Sequence, residues 1–258
     1  MAARAMWRGV IRMGNSSVPV KLYSGLEDQN VHFRLLHESD RVPVKQELIN
    51  PQSEEIVPFE RARRGFVTDD GDLVIFEPEE LDSLEPESSR DIDIVSFLPP
   101  EEIDHRWYLR PYYLGPDGPP EPYFALITAL ERSGREGLAR WTMRTKEYVG
   151  ALRLHHGYPM LLTLRYDAQV VPLDTLDAPG GPKLDEKELA MARQLMDMLA
   201  ASFEPEEYHD EYRKRVLDLI ETKARGGTVK TKRPRKQPRY EDLAGALSAS
   251  LKKERIRA

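Results

Sequence analysis

The chain has 258 residues, of which 40% are hydrophobic and 32% charged, so it can bury a core as one large domain or as a domain with a tail. It has no cysteine, which excludes disulfides and thiolate metal sites and fits a reducing compartment. The net charge of −6 is the sum of +8 on residues 223–239, +1 on residues 240–258 and −15 on residues 1–222. Because residues 1–222 are so acidic, they can bind nucleic acid only where basic groups converge on one surface.

No stretch of the chain is apolar for long enough to cross a membrane or to act as a secretory signal, so we expect a cytoplasmic protein without membrane partners.

The N-terminal part of the chain predicts strands. Val18, Val20 and Leu22 alternate with other residues, which predicts a strand with an edge or bulge at Pro19. A second short strand is predicted at Val31–Leu36.

Residues 38–91 differ in character from the segment before them. They are rich in charge and proline, and they offer only a strand-like piece at Asp72–Phe76 and one or two helical turns at Glu79–Leu84. So long a segment with so little periodicity is either a solvated, irregular insertion or a functional loop system. The residues alone favour the insertion.

Strand patterning resumes at Asp91–Phe97 and Arg106–Leu114, and a helical period follows at Glu121–Ser133. Asp91 and Asp93 have the chemistry of a magnesium or calcium site, because hard cations prefer carboxylate oxygens. However, the two acids alternate with isoleucines, and a half-buried strand explains that pattern fully.

The segment Glu136–Leu154 carries the most informative pattern. One face of its predicted strand would hold Leu138, Arg140, Thr142 and Arg144, and the other face is apolar. Arginine by its planar fork and threonine by its hydroxyl can together grip phosphate. The alternative is a solvated strand face with ordinary surface arginines. The stretch His155-His156-Gly157-Tyr158-Pro159 then predicts a turn into the next strand, Met160–Tyr166.

The C-terminal third predicts helices. Asp185 and Glu188 have the spacing of a capping box at the start of an amphipathic helix, and Pro205 suits the start of a second one. Residues 223–239 are basic and contain prolines, so we expect a flexible linker. A last helix over residues 240–257 would carry an apolar stripe of Leu243, Leu247 and Leu251. So short a helix is marginal in water, and we expect it to dock on the core or on a partner.

In combination, these segments resemble bacterial Ku, the DNA-end-binding protein of nonhomologous end joining. The resemblance runs nearly end to end, and its longer matches are YLRPYYLGPD at 108–117, ARWTMRTKEYVGALR at 139–153 and YHDEYRKRVLDLIETKARGG at 208–227. It implies a mixed, mainly β fold. A Ku-type β-barrel core over residues 1–222 would carry a bridge insertion at about 38–91 and a C-terminal helical arm at about 184–222. It also implies a homodimeric ring around duplex DNA, with no catalytic activity and no cofactor.

The resemblance assigns candidate residues as well. The candidate DNA contacts are Arg140, Thr142, Arg144 and the neighbouring Lys146, then Arg34, and on the presumed bridge Lys45, Arg63 and Arg64. The C-terminal helix resembles the tail that recruits DNA ligase D, with Leu243, Leu247 and Leu251 as its contact stripe. We therefore expect sequence-independent binding of double-stranded DNA ends at the nucleoid and recruitment of ligase D for repair.

Two other functions remain open. The chain could be an acidic interaction scaffold that touches nucleic acid only through the basic linker at 223–239. It could also be a metal-dependent nuclease that uses Asp91 and Asp93.

Overall fold

Seven strands close into a barrel in the larger of the two units into which the chain divides. This unit contains residues 1–29 and 34–175, and the second unit contains residues 30–33 and 176–258. The computed structural model describes residues 4–176, 180–181, 185–226, 245 and 247–252.

The described strands and helices fall in the order that follows. The strands are β1 (Trp7–Met13), β2 (Ser16–Ser24), β3 (Arg64–Val67), β4 (Leu73–Phe76), β5 (Asp91–Leu98), β6 (Tyr108–Pro116), β7 (Glu136–Met143), β8 (Lys146–His155) and β9 (Tyr158–Leu164). The helices are α1 (Pro78–Asp82), α2 (Pro120–Ser133), α3 (Glu186–Met198) and α4 (Glu211–Ala224).

The barrel has the strand order β1-β2-β6-β9-β8-β7-β5. Its neighbours are antiparallel except at the closing seam, where β1 pairs in parallel with β5. Side chains alternate along each strand, so every second residue points inward. The interior is filled by large apolar side chains that are fully buried, among them Ile11, Leu22, Ile92, Leu114, Leu152 and Leu161. The predicted mainly β barrel is confirmed.

Helix α2 connects the end of β6 to the start of β7 and packs on the barrel. Tyr123, Leu126 and Leu130 recur at helical spacing and are buried. The Tyr123 hydroxyl donates a 2.7 Å hydrogen bond to the Leu114 carbonyl. The helix ends at Gly134, whose φ of +61° is the left-handed conformation that glycine adopts without strain.

The chain leaves the barrel after Ser24 and rejoins it at Asp91, and we call residues 34–90 the excursion. Bridges join Leu36 to Pro43 and Ile49 to Ile56, and β3 pairs with β4. The excursion therefore contains three successive chain reversals rather than irregular loop alone. The predicted strand at Val31–Leu36 is wrong, because residues 31–35 lie outside any strand and Leu36 forms only an isolated bridge.

The second unit contains α3 and α4, so the predicted helical C-terminal part is confirmed. Asp185 and Glu188 form the predicted capping box at the start of α3. The predicted start of the next helix at Pro205 is wrong. Pro205–Glu207 form one 3-10 turn, and α4 begins six residues later, where the Asp210 side chain accepts from the Arg213 N–H at 2.9 Å.

Two further statements concern the described residues alone. None of their helices combines the length and the apolar character that crossing a bilayer requires. Residues 247–252 are helical, in agreement with the predicted C-terminal helix, whereas Leu243 and most of the predicted linker, residues 227–239, lie outside the described residues.

Candidate nucleic-acid interface

One end of the barrel gathers most of the candidate residues. The strand directions place the ends of β2, β7 and β9 and the starts of β5, β6 and β8 at this end. We call it the excursion rim, because the chain leaves the barrel here after Ser24 and, at the end of the excursion, rejoins it here at Asp91. The turn between β7 and β8 also lies here, so the topology brings the excursion and the basic hairpin to the same end of the barrel.

Arg140 and Thr142 lie on the outer face of β7, near the excursion rim. Arg140 is exposed and Thr142 is half-buried, whereas Ala139, Trp141 and Met143 between and beside them are buried in the barrel. The alternation predicted for this strand is confirmed over these residues. Tyr148 stacks on Trp141 with a centroid separation of 5.3 Å, which fixes the apolar face and thereby the direction in which Arg140 points.

The outer face of β7 forms part of a groove that also contains acidic side chains. The groove has a volume of about 440 Å³ and includes Asp91, Asp93, Arg140, Thr142 and Glu147. Asp91 is paired with Arg12, whose Nε lies 3.0 Å from Oδ1, and Asp93 stands opposite Arg140 in the register. The groove can therefore accept a phosphate next to Arg140 only if the anion stays clear of these carboxylates.

Among the described residues, the structure brings no third His, Cys, Asp or Glu side chain to Asp91 and Asp93 that would complete a metal site. Across the described part of the chain, no group of three or more His, Cys, Asp or Glu side chains could hold a metal ion.

Arg144 and Lys146 do not share the outer face with Arg140. Strand β7 ends at Met143, and Arg144 follows in the turn with a φ of +61°, so the prediction that it continues the strand face is wrong. Lys146 pairs with the inward-facing Met143 and lies on that same side. Both cations are exposed at the open end of the barrel interior, which we call the barrel mouth.

The candidates in the excursion differ in how far they are committed to other contacts. Arg34, Lys45 and Arg64 are exposed. Arg63 instead holds the excursion together, because its Nε donates to Glu77 Oε2 at 2.8 Å and its Nη1 donates to the Glu60 carbonyl at 2.9 Å. Its charge is thus partly neutralised within the excursion, which leaves it less available to a phosphate than the other three candidates.

The candidate partner-binding stripe is described only in part. Leu247 and Leu251 are helical and half-buried, and Leu243 lies outside the described residues.

A buried ionic cluster on β6, β7 and β8 was not predicted from the sequence. Glu136 is 1% exposed, its Oε2 accepts from the Tyr108 hydroxyl at 3.0 Å, and its Oε1 lies 3.1 Å from Arg153 Nε. Oε1 receives no aligned hydrogen bond, so the contact with Arg153 is chiefly electrostatic. Burial, followed by the hydrogen bond to Glu136, raises the pKa of Tyr108 to about 12.

Arg110 on β6 is a second feature that sequence reasoning missed. It lies at the excursion rim, with its guanidinium 5.7 Å from the centre of the Tyr112 ring. The signal was the i, i+2 spacing of Arg110 and Tyr112 in a predicted strand, which puts both side chains on one face.

Comparison with known proteins agrees with the barrel fold. The family model for the Ku70/Ku80 beta-barrel domain matches residues 12–191. The chain is 37% identical to Non-homologous end joining protein Ku 2 of Geotalea uraniireducens over 98% of this chain and 99% of that protein. It is 34% identical to Non-homologous end joining protein Ku of Koribacter versatilis over 96% of this chain and 86% of that protein. The corresponding protein of Bacillus subtilis is 32% identical over 97% of this chain and 82% of its own length.

Proposed function

We propose that this chain, which belongs to the Ku family, binds the ends of double-stranded DNA without regard to sequence and acts in nonhomologous end joining. One observation carries the site assignment: the basic β7–β8 hairpin lies at the same rim at which the chain leaves the barrel after Ser24 and rejoins it at Asp91. Arginine, lysine and threonine side chains there suit phosphate oxygens, which are the same in every sequence.

The protein forms a homodimeric ring in this proposal, with the excursion as the bridge over the DNA. The excursion supports the dimer because it exposes large apolar side chains along its length. Among them, Phe59 is 80% exposed, Phe66 62% and Ile75 59%. Apolar groups clustered in this way mark surfaces that another protein covers. A ring built from two copies can be threaded only by a free end, which selects ends by topology.

The C-terminal helix recruits DNA ligase D in this proposal. Leu247 and Leu251 stand one helical turn apart, as a stripe for a partner's groove requires. The role is one of binding and recruitment at the nucleoid, without catalysis by this chain.

A competition experiment tests the proposal. The full chain is bound to a labelled linear duplex at 0.15 M salt and challenged with equal masses of unlabelled linear or covalently closed circular DNA. We expect only the linear competitor to displace the label. Equal competition by both forms would show binding along the DNA surface and would exclude the ring.

A charge reversal tests the site. Arg140→Glu with Arg144→Glu should weaken end binding by more than about tenfold, because two phosphate contacts become repulsive. Binding as tight as that of the unaltered chain would remove the β7–β8 hairpin from the interface.

The acidic scaffold remains the second candidate because of the charge contrast between residues 1–222 and the linker. Replacing the six Lys/Arg of residues 230–239 by Gln in the full chain separates the two. A scaffold would lose its DNA binding, whereas a ring would keep its preference for ends.

A further inference from the structure

Arg110 stands at the barrel mouth in a conformation that its neighbours fix. Its Nη2 donates to Ser24 Oγ at 3.2 Å, and its guanidinium lies over the ring of Tyr112, which is 4% exposed. The backbone is held as well: the Thr163 hydroxyl accepts from the Arg110 N–H at 3.0 Å and donates to the Arg110 carbonyl at 3.3 Å. This exposed arginine is therefore preorganised by buried residues on two strands.

Other positive charges reach the same place. Arg144 in the β7–β8 turn and Lys146 at the start of β8 lie at the barrel mouth. Burial raises the pKa of Tyr112, while the positive charges of Arg110 and Arg144 act in the opposite direction.

The charges of these cations are not neutralised by ion pairs within the described part of the protein. Among the described residues, no carboxylate forms an ion pair within 4.0 Å with Arg110, Arg144 or Lys146. The outer groove contains carboxylates next to Arg140, namely those of Asp91, Asp93 and Glu147, although none of them forms an ion pair with Arg140 within 4.0 Å. Arg110, Arg144 and Lys146 therefore keep their charges available for an anion at the barrel mouth.

We propose that Arg110 is a further phosphate contact, which holds a DNA backbone phosphate at the barrel mouth together with Arg144. The inference rests on the proposed DNA binding and extends the interface from the outer face of β7 to β6. A guanidinium whose stem and backbone are already fixed loses little conformational freedom when it meets phosphate oxygens, and its fork suits two of them. Tyr112 supports the arginine from below and makes no contact with the nucleic acid.

The simplest competing explanation is that Arg110 only anchors the chain where it leaves the barrel, since it holds Ser24. The two explanations differ in salt dependence. A lost phosphate contact lowers the slope of log Kd against log salt by about 0.9, and by the same relation it weakens binding about fivefold at 0.15 M salt. A lost anchor weakens binding without lowering that slope.

The experiment compares three full-length variants on the same linear duplex between 0.05 and 0.3 M salt. Arg110→Gln removes the cation. Ser24→Ala keeps the cation but removes its hydrogen-bond acceptor, together with the hydrogen bonds between the Ser24 hydroxyl and the Leu26 backbone. Arg132→Gln is the matched charge control on α2, away from the excursion rim. We expect Arg110→Gln to bind about fivefold more weakly at 0.15 M salt, with the slope lowered by about 0.9. Ser24→Ala should keep the slope, and Arg132→Gln should behave as the unaltered chain.

Three outcomes would overturn the inference. An unchanged slope in Arg110→Gln removes the phosphate contact, and so does an equal loss of affinity in Ser24→Ala, which would make Arg110 an anchor. An equal effect of Arg132→Gln would reveal a general charge effect. If the unaltered chain fails to bind DNA at all, both the proposed function and this inference are wrong. If the unaltered chain binds DNA and only Arg110→Gln behaves differently from expectation, the inference alone is wrong, so the two failures are distinguishable. Unfolding temperatures of all variants establish that each is folded.

Discussion

Asp93 and Arg140 stand directly opposite each other on β5 and β7, yet they form no ion pair within 4.0 Å. Arg140 therefore keeps its guanidinium uncommitted on the outer face of the barrel, while a carboxylate remains beside the site that a phosphate would occupy. In the unbound protein the acid offsets the local positive potential, and in the complex it would repel the phosphate. If DNA binds here as proposed, Asp93 lowers the affinity of the Arg140 surface for a phosphate.

Asp93→Asn should bind linear DNA about two- to fivefold more tightly at 0.15 M salt, because it removes a negative charge beside the phosphate. Arg140→Gln should bind about fivefold more weakly, with the salt slope lowered by about 0.9. Fluorescence anisotropy across a salt series measures both. Asp167→Asn, outside the groove, serves as the control, and an unchanged affinity in Asp93→Asn would place the DNA away from this face.

The Glu136–Arg153 pair can be tested by a double-mutant cycle. Arg153→Met leaves a buried carboxylate that keeps only the Tyr108 hydroxyl, so the free energy of unfolding should fall by about 1–3 kcal/mol. Glu136→Gln combined with Arg153→Met should recover much of that loss, since the amide oxygen still accepts from Tyr108. Urea denaturation of the four proteins gives the coupling energy, and additive losses would show that the two charges do not interact.

Gly150 on β8 leaves no room for a side chain, because the Trp141 ring and the Leu162 backbone pack against it. A Cβ there would stand 2.5 Å from the Leu162 carbonyl oxygen and 2.7 Å from the Trp141 ring. Gly150→Ala should therefore lower the free energy of unfolding by about 1–3 kcal/mol through overpacking.

The matched control for Gly150→Ala is Gly180→Ala, where a Cβ would meet no described atom within 4 Å. Thermal unfolding followed by circular dichroism compares the two variants. Equal unfolding temperatures would show that the Trp141 ring can move aside without cost.

Tyr108 predicts a loss of stability in alkali. Its pKa is raised to about 12 in the folded chain from a reference value of 10.0, so between these values the unfolded chain releases a proton that the folded chain keeps. The unfolded state then binds fewer protons, and the free energy of unfolding falls as the pH rises from 10 to 12. Tyr108→Phe should make this decline in the free energy of unfolding less steep when denaturation is measured between pH 10 and 12. The control Tyr158→Phe, at an exposed position, should leave more of the decline in place. A decline of unchanged steepness in Tyr108→Phe would contradict the assignment.

The exposed apolar face of the excursion predicts self-association. Phe66 and Val74 stand opposite each other on β3 and β4, and they are 62% and 41% exposed. If a second copy covers them, Phe66→Glu buries an unpaired charge and should weaken the dimer by about 30-fold or more. Light scattering at micromolar concentration reports the mass. Phe124→Glu is the control, since Phe124 on α2 is 59% exposed outside the excursion, and a dimer unaffected by Phe66→Glu would locate the interface elsewhere.

Much of the barrel was predictable because its strands alternate cleanly between one buried face and one exposed face. The Arg140–Thr142 face followed from that periodicity. The turn predicted at His155–Pro159 is present but shorter, because within it only His156 and Gly157 have positive φ values, +49° and +77°, and β9 already begins at Tyr158. Arg144 was misplaced because a two-residue turn ends the alternation, and nothing in TMRTKE marks it with glycine or proline. The strand expected at residues 31–36 has the right residue types but finds no partner strand, and pairing is decided by the tertiary fold.

Arg110 and the Glu136–Arg153 pair lay beyond sequence reasoning for a different reason. Their partners are far away along the chain, and only the barrel register brings them together. Thr163, which holds the Arg110 backbone, and Tyr108, which donates to Glu136, illustrate the point. A local pattern reports which face a residue occupies, but it does not report what stands across from it.

The parallel seam between β1 and β5 has a consequence for how the chain is made. Ile11 pairs with Ile92, so the N-terminal strand must wait on the ribosome until the whole excursion has been synthesised before the barrel can close. The entropy of closing a loop grows only with the logarithm of its length, so shortening that intervening segment to about ten residues would gain only about 2 kcal/mol. The thermodynamic penalty for changing the length of the excursion is small, whereas the delay before closure grows with every residue added. Lengthening this segment should therefore slow assembly and prolong exposure to aggregation during synthesis more than it lowers the stability of the finished barrel.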